Sequence, residues 1–114
     1  MAERRKLKRR HLLYYLRVHS APEGQLVGHV ADITPEGLML MTERELPIGE
    51  TLSLRMTMPG DPGERNSLEF EATSLWCRRD INPDFWDVGF KTEGLSRAQA
   101  GVIETLIDDY GFRD

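Results

Sequence analysis

Thr51-Leu52-Ser53-Leu54-Arg55-Met56-Thr57-Met58 is the stretch from which the fold of this chain can be read. Its leucines and methionines alternate with serine, arginine and threonine at a period of two residues. This period is typical of a half-buried β-strand, because successive side chains of a strand point to opposite faces. The segment therefore predicts a strand over residues 51–58 that turns one face to a core and the other to water.

Further strand patterns lie on both sides of this segment. Their predicted bounds are residues 12–18, 25–32, 37–41, 68–77 and 86–92. Proline, glycine, asparagine and aspartate mark the turns between them, at residues 22–24, 47–50, 59–66 and 82–84. Six short strands with no helix between them predict an antiparallel barrel or sandwich rather than a parallel sheet.

The end of the chain has the pattern of an amphipathic helix over residues 95–110. Ser96 and Gln99 have the spacing of a capping box at its start, and Gly111 supplies a C-terminal stop. Apolar residues fall on one face at helical spacing: Val102, Ile103, Leu106, Ile107 and Tyr110. We therefore expect this helix to lie on the barrel and to close an end or a face of it.

Length and composition limit the class of protein. The 114 residues correspond to one domain with a modest core, since domains commonly have about 100–150 residues. No apolar run approaches the ~20 residues of a membrane-spanning helix, and the charged N-terminus lacks the apolar segment of a signal peptide. Cys77 is the only cysteine, which excludes a disulfide framework and a thiolate zinc site. We expect a cytoplasmic protein.

Positive charge is concentrated at the N-terminus. Residues 1–17 carry seven basic residues and one acidic residue, a net charge of +6, whereas residues 18–114 carry 8 basic and 18 acidic residues, a net charge of −10. Arginine outnumbers lysine there by five to two, and its planar fork matches a phosphate or the O6/N7 edge of guanine. The distribution predicts an arm that meets an anionic partner. Taken alone, the basic run is more simply interpreted as a solvated polybasic tail that aids solubility or visits membranes and nucleic acid.

A second cluster of polar residues lies in the predicted turn Asp32-Ile33-Thr34-Pro35-Glu36-Gly37. Asp32 can accept backbone N–H bonds or the N1–H and N2–H of a guanine. Thr34 offers a hydroxyl to a phosphate or to its own turn, and Gly37 supplies either positive φ or room for a ligand to approach the backbone. On these residues alone, an ordinary strand-connecting turn is the simpler interpretation.

Together, the arm and the turn resemble the two-part motif of the PilZ domain, a bacterial receptor module for cyclic di-GMP. The family motif is R-x-x-x-R on an N-terminal arm, followed by Asp/Asn-x-Ser-x-x-Gly on a turn between strands. Arg5 and Arg9 match the first part. Asp32, Thr34 and Gly37 match the second part, with threonine in place of serine. The resemblance continues through the strands to the terminal helix.

The resemblance implies a mainly β fold. We expect a six-stranded antiparallel PilZ-type β-barrel with a C-terminal α-helix packed on it and a flexible basic N-terminal arm. Residues 1–11 would form the arm, and residues 12–114 the barrel with its helix at 95–110.

The resemblance also implies the binding mode. Arg5 and Arg9 would fold over the barrel opposite the turn and grip guanine and phosphate, with Arg4 and Arg10 as supporting cations. In this family, the residue before the first motif arginine helps to decide whether one ligand or a stacked pair is bound. A long cationic Arg4 favours the stacked pair.

These features predict a signalling adaptor that binds cyclic di-GMP and reports its occupancy to a protein partner. One alternative keeps the PilZ fold as a protein-interaction module that does not bind the ligand. Another is a small barrel that binds single-stranded nucleic acid through its basic arm, which the overall acidity and the absence of a clear aromatic platform in the arm disfavour. No pattern of a catalytic triad, a paired catalytic carboxylate or a P-loop can be assembled. We therefore expect neither an enzyme nor a cofactor.

The remaining candidates have structural interpretations. Trp76 is interpreted as an aromatic of the barrel wall, although Arg78 and Arg79 beside it would allow a base to stack there. The three histidines are scattered and lack the spacing of metal ligands, so no metal site is expected. The methionines of the predicted strands are expected to pack the core: Met39, Met41, Met56 and Met58.

Overall fold

The computed structural model describes residues 16–57 and 67–110 of the chain. Within them, six strands and one helix follow in this order: β1 (Arg17–Ser20), β2 (Leu26–Thr34), β3 (Gly37–Thr42), β4 (Thr51–Thr57), β5 (Ser67–Arg79), β6 (Trp86–Glu93) and α1 (Arg97–Tyr110). The predicted arm, the predicted loop 59–66 and Gly111 lie outside the described residues.

The strands form a closed antiparallel barrel in the order β1-β2-β3-β6-β5-β4. The predicted six-stranded antiparallel barrel with a C-terminal helix is therefore confirmed. In β4, Leu54 and Met56 are fully buried whereas Ser53 and Thr57 are exposed, as the two-residue period requires. All six strands contribute inward-facing side chains to one core, which also includes Leu16 and two residues of the helix.

Within the described residues, the first strand begins one residue later than predicted and ends two residues later, at Ser20. Its ladder with β2 spans Arg17–His19, and its ladder with β4 spans Val18–Ser20. Leu16 is buried but precedes the strand, and its C=O accepts the N–H of Val30 at 2.8 Å. The apolar character of Leu16 thus reflects burial rather than strand pairing. Residues 12–15 of the predicted strand lie outside the described residues.

The predicted capping box begins α1. The N–H of Gln99 donates to Oγ of Ser96 at 3.1 Å, and the N–H of Ser96 donates to Oε1 of Gln99 at 3.0 Å. Nε2 of Gln99 also donates to the C=O of Glu69 at 2.6 Å, which fixes the start of the helix on β5. The capping box therefore satisfies the N–H groups of Ser96 and Gln99 at the start of the helix, and it also positions the helix on the barrel.

The packed face of α1 is narrower than predicted. Ile103 and Leu106 are buried in the barrel core, and Ile107 packs at its edge. Val102 is 40% exposed, so its assignment to the packed face is wrong. Ile103 and Leu106 form the stripe of α1 that contacts the barrel. Val102 comes one residue before Ile103, so it lies about 100° away from Ile103 around the helix axis. The side chain of Tyr110 lies outside the described part of the structure.

Candidate ligand-binding face

The predicted turn joins β2 to β3 through a two-residue loop, Pro35-Glu36. Thr34 pairs with Gly37 across it. The turn is also fixed to β6, because the Thr92 hydroxyl donates to the C=O of Pro35 at 2.8 Å and the Thr92 N–H donates to the C=O of Glu36 at 3.1 Å. These two bonds hold the loop in a defined position on the barrel.

The Thr34 hydroxyl lies inside this turn. Its oxygen accepts the N–H groups of Glu36 and Gly37, both at 3.3 Å, and the hydroxyl donates to the C=O of Gly37 at 3.4 Å. These distances exceed the roughly 2.5–3.0 Å of a strong O–H···O bond and the roughly 2.7–3.2 Å of a strong N–H···O bond. The hydroxyl is exposed and weakly held, so its proton is available to an external acceptor.

Asp32 lies two residues before Thr34 on the same exposed face of β2. Ile33 between them is 1% exposed and points into the core. Oδ1 of Asp32 accepts the N–H of Ile33 at 2.9 Å. A carboxylate has about four acceptor positions, so Asp32 retains capacity for two donors from a ligand. The structure thus places Asp32 and Thr34 side by side on the outside of the barrel.

Two alternative roles were expected of Gly37, positive φ or room for a ligand to approach the backbone. Positive φ occurs, within the described residues, at Gly24, Gly49 and Gly94. The first alternative is therefore wrong for Gly37, and room for a ligand stays a prediction. A Cβ at Gly37 would lie 2.5 Å from the backbone oxygen of Phe90 in β6. The space that a side chain would need is filled by the neighbouring strand, so glycine allows β3 and β6 to pair closely.

A β-bulge in β5 determines the orientation of Trp76. The register with β6 shifts between Ser74 and Trp76, which makes Leu75 the extra residue. Leu75 and Trp76 are both exposed, by 52% and 38%. The indole lies on Gly89, where a Cβ would come within 2.2 Å of the ring. Trp76 therefore packs on the barrel wall, as predicted. Part of its side chain is nevertheless exposed to solvent.

Two of the predicted core methionines lie on this outer surface instead. Met39 and Met41 are half-buried on β3, because Leu38 and Leu40 take the inward positions. Met56 is fully buried, as predicted. Met58 lies outside the described residues.

Strand register aligns four of these positions into what we call the outer row, Asp32–Met39–Gly89–Trp76. Asp32 pairs with Met39, Met39 with Gly89, and Gly89 with Trp76. Three strand spacings of about 4.8 Å separate the backbone of Asp32 from that of Trp76, or about 14 Å in all. The row is continuous across β2, β3, β6 and β5.

A groove of about 320 Å³ adjoins the outer row, and its lining includes Met39, Met41, Arg78 and Asp87. The volume is at the lower end of the roughly 300–1,000 Å³ of small-molecule sites. The guanidinium of Arg78 lies 5.0 Å from the centroid of the Trp76 ring. This face therefore combines a carboxylate, a hydroxyl, an exposed aromatic ring and a cation.

The described chain enters the barrel next to this face. It begins at Leu16, which bonds to Val30 of β2, and β1 runs antiparallel to β2. The entry point is thus beside the half of β2 that leads to Asp32 and Thr34. The four candidate arginines precede it and lie outside the described residues: Arg4, Arg5, Arg9 and Arg10.

Within residues 16–57 and 67–110, no three His, Cys, Asp or Glu side chains are grouped as metal ligands would be. The helix found in those residues is too short and too polar to cross a membrane.

Comparison with known proteins gives a family and a fold. The family model described as PilZ domain matches residues 3–109. The solved structure of the Bacillus subtilis inhibitor of motility (MotI/DgrA) is similar, with a TM-score of 0.63 and 16% sequence identity. The match covers 82% of this chain and 47% of that one, so the chain spans about half the length of that protein. At this level of sequence identity, the similarity shows a shared fold alone. The curated proteins give no match.

Proposed function

The chain belongs to the PilZ domain family, and we propose that it is a receptor that binds cyclic di-GMP and reports its occupancy to a protein partner. Domains of this family are receptor or adaptor modules. One observation carries the proposal: Asp32, Thr34 and Trp76 share one outer face, and the chain enters the barrel beside it.

The polar groups of this face suit a guanine dinucleotide. The Asp32 carboxylate can accept the N1–H and N2–H of one guanine, since these two donors fit one carboxylate. The weakly held Thr34 hydroxyl can donate to a phosphate oxygen. The guanidinium forks of Arg5 and Arg9 supply the charge for the phosphates and the donors for the O6/N7 edge of guanine.

The exposed Trp76 ring would support a base. Stacking of a base on an aromatic side chain is worth about 1–3 kcal/mol. Gly89 lies beneath the ring and the Arg78 guanidinium lies 5.0 Å from its centroid, so a base would stack on the exposed part of the ring or on the guanidinium itself. Trp76 and Arg78 are therefore proposed as additional ligand-contacting residues at the far end of the outer row.

The arm is long enough to cover the row. Arg9 and Arg5 precede Leu16 by seven and eleven residues. An extended chain spans about 3.3–3.6 Å per residue, so these segments can reach about 25 and 40 Å. Both reaches exceed the ~14 Å width of the outer row. The motif arginines can therefore meet a ligand held between Asp32 and Trp76.

Calorimetric titration with cyclic di-GMP, run beside a short single-stranded oligonucleotide, tests the proposal. We expect saturable binding of cyclic di-GMP and weaker binding of the oligonucleotide. A folded barrel that gives no heat with cyclic di-GMP would instead be a PilZ-fold interaction module. Tighter binding of the oligonucleotide, with a steep dependence on salt, would identify a nucleic-acid-binding barrel.

The turn residues give the next prediction. Asp32→Ala should weaken cyclic di-GMP binding by roughly 10- to 100-fold, because a hydrogen bond to a charged group is worth about 1.5–3 kcal/mol. Thr34→Ser should bind at least as well as the wild type, because it keeps the hydroxyl and removes one exposed methyl group. Both affinities are measured by calorimetry.

Asp32→Asn is the matched control, because its amide oxygen can still accept the N–H of Ile33. If Asp32→Asn binds as poorly as Asp32→Ala, the carboxylate acts on the ligand rather than on the turn. Wild-type binding by both Asp32 variants would remove Asp32 from the site. A Thr34→Ser variant that binds much more weakly would mean that the methyl group packs productively.

The arm itself should respond to the ligand. We expect residues 3–10 to be mobile in the free protein and ordered in the complex, because six cations repel one another there and only Leu7 is apolar. Ordering costs about 1–2 kcal/mol per residue, and a dianionic ligand offsets this cost by neutralising the repulsion. Hydrogen exchange at the backbone amides of residues 3–10, with and without cyclic di-GMP, measures this ordering. Equal protection with and without bound cyclic di-GMP would mean a preformed arm and no switch.

A further inference from the structure

The C-terminal part of β5 extends beyond its neighbour on one side. β5 pairs with β6 as far as Arg79, whereas its pairing with β4 ends at Thr73. Ser74 then bonds to Gly49 and Glu50, and the positive φ of Gly49 (85°) turns that chain away. Among the described residues, the stretch 75–79 therefore has a strand partner on its β6 side alone.

The alternation of an antiparallel ladder determines which backbone groups face outward. The N–H of Asp80 donates to the C=O of Phe85 across the β5–β6 hairpin at 3.0 Å, so the backbone of Asp80 faces β6. Consecutive residues of a strand direct their N–H and C=O groups to opposite sides. The groups of Cys77 and Arg79 therefore face away from β6, and no described residue bonds to them. We call these two N–H and two C=O groups the open edge.

We propose that the open edge binds an extended segment of a protein partner as an added strand, with an acidic residue of that segment opposite Arg78. Alternating donors and acceptors are complementary to an extended chain, which is the basis of strand addition. Arg78 lies between the two outward-facing residues and is exposed. A residue opposite it in the added strand would have its Cα about 4.5 Å away, where opposite charges stabilise the pair and like charges destabilise it.

A second copy of this chain fits the open edge less well. The antiparallel register that uses all four groups pairs Cys77 with Arg79 of the second copy and sets the two copies of Arg78 opposite each other. Their like charges oppose this register. A register that pairs Cys77 with Cys77 of the second copy avoids the repulsion. It sets Arg79 opposite Leu75, however, and Leu75 belongs to the bulge, so the backbone groups of Arg79 have no outward-facing partner.

The inference rests on the proposed receptor function, because that function calls for a protein partner. The open edge itself is present without cyclic di-GMP. It also suggests how the two sites communicate. Arg78 lies over Trp76, so a base on the outer row and a strand on the open edge would contact the same guanidinium.

The test uses the full chain without cyclic di-GMP and two short peptides of alternating threonine and valine, with glutamate or lysine at the centre. Amide exchange measured by NMR should be fast at Cys77 and Arg79 in the free protein and slow at Trp76, Arg78 and Asp80. The glutamate peptide should slow exchange at Cys77 and Arg79 and bind about fivefold more tightly than the lysine peptide. Arg78→Glu should reverse this order.

Each other outcome overturns the proposal in a distinct way. Slow exchange at Cys77 and Arg79 in the free chain at every concentration means that the chain covers its own edge. Protection that rises with protein concentration identifies a second copy as the occupant. Equal binding of the two peptides, or binding at another part of the surface, contradicts the proposal that the open edge binds an acidic partner strand. Because no cyclic di-GMP is present, failure here is separate from failure of the calorimetric titration.

Discussion

We expect Arg5→Ala and Arg9→Ala each to weaken cyclic di-GMP binding by about thirtyfold while the barrel stays folded. A bidentate contact worth about 2 kcal/mol corresponds to this factor, because each 1.4 kcal/mol is tenfold in affinity. The barrel should be unaffected, since the described residues alone form a buried cluster that draws on all six strands and the helix. Calorimetry gives the affinity, and thermal unfolding checks the fold.

Lys8→Ala is the matched control, because it removes one positive charge from the same segment without removing a motif arginine. Its effect should be much smaller if the guanidinium forks act individually. A loss of binding in Arg4→Ala and Arg10→Ala, rather than in the two motif variants, would mean that the register of the arm is wrong. Unchanged affinity in all four arginine variants would remove the arm from the site.

Gly37→Ala should lower the free energy of unfolding by about 1–3 kcal/mol, the usual cost of inserting atoms into a filled space. The new Cβ would lie 2.5 Å from the backbone oxygen of Phe90, and a backbone group cannot move aside as a flexible side chain can. β3 and β6 must therefore separate locally. Chemical denaturation measures the change. Cyclic di-GMP binding should fall as well, because the shift moves the turn that carries Thr34.

Gly101→Ala provides the matched control with the opposite sign. Gly101 lies inside α1, and a Cβ there would meet nothing within 4 Å. Replacing glycine by alanine in a helix interior should stabilise the protein by about 0.5–1 kcal/mol. If Gly37→Ala leaves stability unchanged but abolishes binding, then Gly37 acts on the ligand and the close approach of the strands is not its main role.

Local patterns in the sequence were sufficient for the elements of this fold. The two-residue period of 51–58 predicted β4, and the spacing of Ser96 and Gln99 predicted the start of α1, because both patterns depend on neighbours within a few residues. The motif residues Asp32 and Thr34 were predicted from the resemblance to the PilZ motif rather than from a local pattern, and the structure places them together on the outer face. The arginines of the arm stay a prediction, since they lie outside the described residues.

Most of the composition of the outer face was decided by the tertiary structure. Met39 was predicted to lie in the core, and the platform of Trp76 on Gly89 was not predicted, because both depend on the register of strands distant in sequence. The alternation of leucine and methionine in 38–41 was the one local signal for an outward Met39. No local pattern locates the bulge at Leu75 that turns Trp76 outward, and the need for glycine at position 37 arises only when β6 pairs beside it. A strand's own sequence specifies that it alternates, but which residues of other strands share its outer face is set by barrel closure and register.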